Sequence, residues 1–206
     1  MQHSKIQYFT RFCIILTIEA IVCFTPLGSL PAIGPIVATL GMLPVIIAAH
    51  TMGLRAGAAM GFFAGLFSFC VWTFMPPNPL SAFVFTPFVE VAGISGGFRS
   101  LLICFVPRVL VGVVAWVVYK LTYKSFIGDK VAYALSGFLG SMANTIFVMG
   151  GIYLFFGRAY ASALGIGYEL LLGLIGTTVL TSGIPEAVLG AVVGLFVSRP
   201  LNKYFQ

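Results

Sequence analysis

The chain has 206 residues, of which 60% are hydrophobic and only 8% charged, and its mean hydropathy is +1.08. A soluble domain of this size carries about a quarter charged residues, so these apolar segments need lipid rather than water around them. The net charge of +6 is not a nucleic-acid signal. Lys5, Arg11, Arg55, Lys120, Lys124, Lys130, Arg199 and Lys203 fall at alternate ends of the apolar stretches, whereas Arg99 and Arg158 fall at the opposite ends. That asymmetry is the positive-inside pattern that orients a membrane protein. No charge run or low-complexity block marks a second unit, so residues 1–206 are expected to form a single integral membrane domain.

A spanning helix needs about 20 apolar residues. In chain order, a first helix is expected at 10–25, with a basic start that a signal peptide would share, but the SLPA at 29–32 is a poor cleavage site. A second is expected at 35–52, opening near a proline that suits a first turn, and a third at 56–74. The segment 76–97 is apolar and aromatic yet broken by Pro87, Gly93, Gly96 and Gly97, the composition of a cap folded over the protein's own surface. Three more helices are expected at 98–119, 130–156 and 168–197, the last interrupted by Gly183 and Pro185. Six spans put both termini and the basic turns on the cytoplasmic side of a cell membrane.

Ionisable groups inside such spans are costly and each needs a reason. Arg108 lies nine residues past Arg99, about 13 Å into its helix, and has to meet an acid, a backbone carbonyl or a bound anion. Pro107 beside it frees the carbonyl of Ile103 one turn earlier. An internal ion pair with Glu186 is the structural alternative to solute contact. Thr178, Ser182 and Glu186, spaced by four, stack on one helical face that either meets a cavity or pairs internally. Asn144 offers two donors and an acceptor to a polar solute, or an interhelical hydrogen bond. Glu19 and His50 read as partners of Arg11 or Arg55 with no assigned role, and Glu90 as a solute contact or a solvated acid. Gly57, Gly61 and Gly65 lie on one face and mark close helix packing. The four cysteines sit in apolar runs with no metal or redox spacing and read as free thiols. There is no HExxH, no paired carboxylates, no Ser–His arrangement and no phosphate-binding GxxxxGK[ST]. No enzymatic activity, metal or cofactor is therefore expected, and any ATP would be bound by partner subunits.

Five segments carry a family resemblance: FTPLG at 24–28, GFFAGLFS at 61–68, FVPRVLVG at 105–112, NTIFVMG at 144–150 and GIPEA at 183–187. In their order and spacing the chain resembles the substrate-binding S components of energy-coupling factor (ECF) vitamin transporters, most of all the pantothenate type. Hydroxymethylpyrimidine/pyridoxine-like and riboflavin types share much of the pattern, and a stand-alone small permease is the rival class. The resemblance implies an all-α, six-helix bundle that captures a vitamin in an outward-facing cavity. It also implies delivery by toppling in a complex with a membrane scaffold (T) subunit and two cytoplasmic ATPases. Arg108 or Arg99 would then meet a carboxylate, Asn144, Ser182 and Glu186 would bond hydroxyls and amide, and Phe85 of the 76–97 segment would contact the solute. A small-x-x-x-small pair on helix 1 is expected to meet the scaffold. The matching positions are Leu16 and Ala20, with Thr17 next door, so half of that pattern is absent.

Overall fold

The computed structural model describes residues 2–25, 40–91, 93–123 and 128–205. Its helices are α1 (Gln2–Phe24), α2 (Met42–Met52), α3 (Leu54–Phe74), α4 (Phe98–Tyr123), α5 (Asp129–Ala163), α6 (Tyr168–Thr178), α7 (Ile184–Val193) and α8 (Arg199–Phe205). The last three run on through π turns at Val179–Gly183 and Gly194–Ser198, forming one long element. Five helices are long and apolar enough to cross a membrane, ending with the continuous stretch Tyr168–Tyr204, and α2 is a shorter apolar helix. The chain is thus an all-α membrane protein.

Several boundaries differ from the sequence reading. The helix expected from residue 35 begins at Met42, after a turn at Leu40 and Gly41; the stretch before Leu40 lies outside the described residues. Gly41 packs where a Cβ would meet Cys23 Sγ and Glu19 Oε1 at 3.3 Å each, so the turn sits against α1. Helix α5 continues to Ala163, well past 156. The interruption expected near Gly183 and Pro185 is a widening rather than a break. Each π turn stands one residue ahead of a proline, Pro185 or Pro200, and the N–H groups of Ile184 and Arg199 reach back five residues to Val179 and Gly194. A proline has no N–H and crowds the carbonyl four residues earlier. A π turn absorbs both defects without ending the helix.

Close helix contacts rest on glycine. A Cβ on Gly61 would collide with the Arg108 carbonyl and lie 2.8 Å from Val109 Cα, and Gly57 and Gly112 face each other's backbone. The glycine face of α3 therefore packs directly on α4, as its spacing predicts. Gly137 of α5 and Gly190 of α7 form a second such contact. Between α2 and α3 the chain reverses through one residue, Gly53, at φ 91°, a conformation open mainly to glycine.

Two apolar clusters fill the bundle. One joins Met42, Val45, Ile46, Met60, Ala64 and Val111. The other gathers Trp72, Phe83, Phe85, Ile103, Ile152, Phe156 and Leu171, so much of the 76–97 segment is core. Its 3-10 helix Pro79–Val84 is capped by Asn78 Oδ1, which accepts from Leu80 N at 3.1 Å. The segment is tied down by Ser100 Oγ donating to the Phe83 carbonyl at 2.7 Å and by Thr73 Oγ1 donating to Thr86 Oγ1 at 2.8 Å. A small hairpin pairs β1 (Glu90–Val91) with β2 (Ile94–Ser95).

At the end carrying the α4–α5 turn and α8, polar groups knit four helices. His50 Nε2 and Ser136 Oγ are 2.7 Å apart, with the rings of Tyr119 and Tyr133 against the imidazole. His50 therefore bonds Ser136 rather than Arg55. Asn202 Nδ2 donates to Tyr133 Oη at 2.6 Å, Tyr119 and Tyr133 hydroxyls lie 3.0 Å apart, and Arg199 pairs with Asp129 at 2.8 Å. Tyr133→Phe removes the hub hydroxyl. It is expected to cost about 0.5–1.5 kcal/mol, read as a lowered unfolding temperature in detergent.

Candidate functional site

A cavity of about 270 Å³ opens among the last turns of α1 and α3, the start of α2, and the middles of α4 and α5. Its apolar wall includes Val22, Phe24, Met42, Val45, Val71, Trp72 and Met75, and its polar groups include Glu19, Ser68, Arg108 and Asn144. An apolar chamber with a few convergent polar groups is the usual form of a small-solute site.

Arg108 is held from three elements. Pro107 leaves the Ile103 carbonyl without its helical donor, and Arg108 Nη1 takes that place, donating to Ile103 O at 3.0 Å. Nη2 donates to Ser68 Oγ on α3 at 3.4 Å, and the guanidinium carbon sits 5.4 Å from the centre of the Phe85 ring. These bonds engage two of the group's five N–H donors and orient it without neutralising it. Among the described residues no carboxylate forms an ion pair with Arg108, so the alternative pairing with Glu186 is absent.

Asn144 stands half-buried on α5, and its carboxamide oxygen is buried with no hydrogen-bond partner among the described residues. The alternative role as an interhelical bond is not formed among the described residues. Phe85 is not at the cavity surface itself. It stacks on Trp72, ring centroids 4.4 Å apart, and lies beneath the Arg108 guanidinium, so it supports two wall residues at once. Pro77, at the start of the 76–97 segment, does reach the wall.

The other expected contacts lie elsewhere. Ser182 and Glu186 are buried on the long C-terminal element, but neither lines this cavity. Thr178, Ser182 and Glu186 are all buried across the π turn at Val179–Gly183. Arg99, second residue of α4, is exposed and also outside the wall. On α1, Leu16 packs toward the core cluster of α2 and α3 while Thr17 is exposed, its hydroxyl bonded to the Cys13 carbonyl at 2.9 Å. Ala20 is half-buried. Leu16 and Ala20, four residues apart, share one half-buried face, and Thr17 stands exposed beside it. The exposed side of α1 carries Ile14, Ile18 and Ile21.

Glu19 is the wall residue that the sequence reading left without a role. It is fully buried, Oε1 accepts from Cys23 Sγ at 3.2 Å, and Oε2 has no partner among the described residues. In α1, which runs Gln2–Phe24, Glu19 lies five residues before the C-terminal end, beside Val22, Cys23, Phe24 and Thr25, which also line the cavity. Its spacing of four from Cys23, on one face, was the available signal.

A family model described as "ECF transporter, substrate-specific component" matches residues 9–198. The pantothenic acid transporter PanT of Lactococcus lactis subsp. cremoris (strain MG1363) is 34% identical over 170 residues, which is 82% of this chain and 80% of that protein. With five long apolar helices around a chamber lined by a guanidinium and a carboxamide, and a family match over nearly its whole length, this chain belongs to the substrate-specific components of ECF transporters.

Proposed function

We propose that the chain is the pantothenate-capturing S subunit of an ECF-type importer in a bacterial cell membrane. The observation that carries this reading is the Arg108 guanidinium, oriented by Ile103 and Ser68 yet without a carboxylate partner among the described residues, at the wall of a chamber sized for a small solute. A solute carboxylate would make the charge-assisted bonds that this group still offers. Asn144, whose oxygen has no partner among the described residues, suits the hydroxyls and amide of the same molecule, and the apolar wall suits its dimethyl segment. The similarity to a pantothenic acid transporter supports the choice of vitamin. Residues 1–206 act as one domain with six spans and both termini cytoplasmic. The cavity faces outward, and transport is powered by a T scaffold subunit and two ATPases, with delivery by toppling. Arg99, Ser182 and Glu186 keep a proposed part only as contacts made on solute entry or closure.

Titration calorimetry of the purified protein with pantothenate, pyridoxine, riboflavin and hydroxymethylpyrimidine tests the assignment. Pantothenate alone is expected to bind, quenching the fluorescence of Trp72. Binding of a neutral vitamin in preference to pantothenate would overturn it. Liposomes holding this chain alone are expected to show no solute flux, and concentrative flux would identify a permease instead.

A further inference from the structure

Ionisable groups at the cavity wall are few enough to count. Helix α1 brings Glu19 and the thiol of Cys23, and α4 brings Arg108. The wall residues of α2, α3 and α5 (among them Met42, Ser68 and Asn144) carry no charge. Residues 26–39 contain no Asp, Glu, Lys, Arg, His, Cys or Tyr, so no further charge comes from that part of the chain.

The wall holds one acid and one guanidinium, and no ion pair joins them among the described residues. A solute carboxylate beside an ionised Glu19 would set two anions against one cation in surroundings that solvate charge poorly. Arg108 cannot adjust, since a guanidinium stays protonated in proteins. Glu19 can. Its Oε2 is buried with no hydrogen-bond partner among the described residues, and its Oε1 meets the weak thiol donor of Cys23.

We propose that Glu19 is the exchangeable counter-ion of the cavity, setting the charge a solute may carry: it balances Arg108 in the empty protein and takes up one proton when a solute carboxylate pairs with that guanidinium. The proton comes from water, an O–H bond forms on the Glu19 carboxyl, and the cavity returns to neutrality. A neutral solute leaves Arg108 without a new anion, so Glu19 keeps its charge and no proton is taken up. The inference rests on the pantothenate reading and adds to it a residue that selects by charge.

The linkage has a definite sign. Wherever Glu19 is ionised in the empty protein, binding of an anion consumes a proton, and affinity falls about tenfold for each unit rise in pH. Below that range the acid is already protonated and affinity is flat.

Calorimetry with pantothenate in buffers of different ionisation enthalpy, between about pH 6 and pH 9, measures the protons taken up. Wild type is expected to approach one proton per pantothenate at the upper end, with affinity declining there. Glu19→Gln is expected to take up none and to hold a flat affinity profile. Pantothenol, with an alcohol in place of the carboxylate, is expected to bind without uptake in either protein, and its quenching of Trp72 checks that the variant is folded. Should that variant not fold, the wild-type difference between pantothenate and pantothenol decides alone. Pantothenate binding with no proton uptake across the range, or uptake that persists in Glu19→Gln, overturns the inference and leaves the pantothenate reading standing. Failure of wild type to bind pantothenate at all removes both.

Discussion

Arg108→Ala is expected to weaken pantothenate binding by about 2–5 kcal/mol, a loss of about thirty- to several-thousandfold. The size follows from where the group stands. It is drawn over its own helix by the Ile103 carbonyl, braced by Ser68 from α3, and underlaid by the Phe85 ring. Little further ordering is needed when an anion arrives, and each charge-assisted bond is made in an apolar surrounding. Truncation also leaves the Ile103 carbonyl without its donor, so a modest fall in unfolding temperature should accompany the loss of affinity. Arg108→Lys separates the two effects. It keeps the charge but not the planar fork, and should therefore recover part of the affinity and little of the bond to Ile103. Calorimetry and thermal unfolding on the same preparations check both. Unchanged pantothenate affinity in Arg108→Ala would remove the guanidinium from the binding role.

Gly61→Leu is expected to have the largest effect on the fold. The added Cβ would run into the Arg108 carbonyl and lie 2.8 Å from Val109 Cα. Neither is the end of a flexible side chain, so α3 and α4 have to separate along their length. Overpacking of this kind costs about 1–3 kcal/mol or more, and the rigid backbone partner puts this site at or above the upper bound. The same contact aligns Ala64 and Ser68 with Arg108 and Val111 at the cavity wall, so surviving protein should bind pantothenate poorly as well. Yield of folded protein in detergent, its unfolding temperature and its residual affinity are the readouts. Gly173→Leu is the control, since a Cβ there meets nothing within 4 Å; it should behave like wild type.

Much of the architecture could be read along the chain. Length and apolarity of the segments announce long helices. Spacing of Gly57, Gly61 and Gly65 announces a close contact on one face, and that face packs against α4. Local covalent chemistry did the same for Pro107, which was bound to free the Ile103 carbonyl. All of these are properties of neighbours in sequence, where periodicity of 3.6 or the missing N–H of proline is enough.

Which side chains meet depended on the packed bundle. Nothing local says that the freed Ile103 carbonyl is taken by Arg108 itself, or that Phe85, twenty-three residues earlier, lies under that guanidinium. Glu19 became a cavity residue because the last turns of α1 line the chamber and Gly41 folds back against it. Ser182 and Glu186 are buried on the C-terminal element yet lie outside this cavity, because the placement of packed helices, and not spacing along one of them, decides which face meets the chamber. Hydrophobic pattern and propensity are short-range and survive in a linear reading. A binding chamber is made by residues from five helices and the 76–97 segment, and only the distances and rotations of packed elements bring them to a common wall.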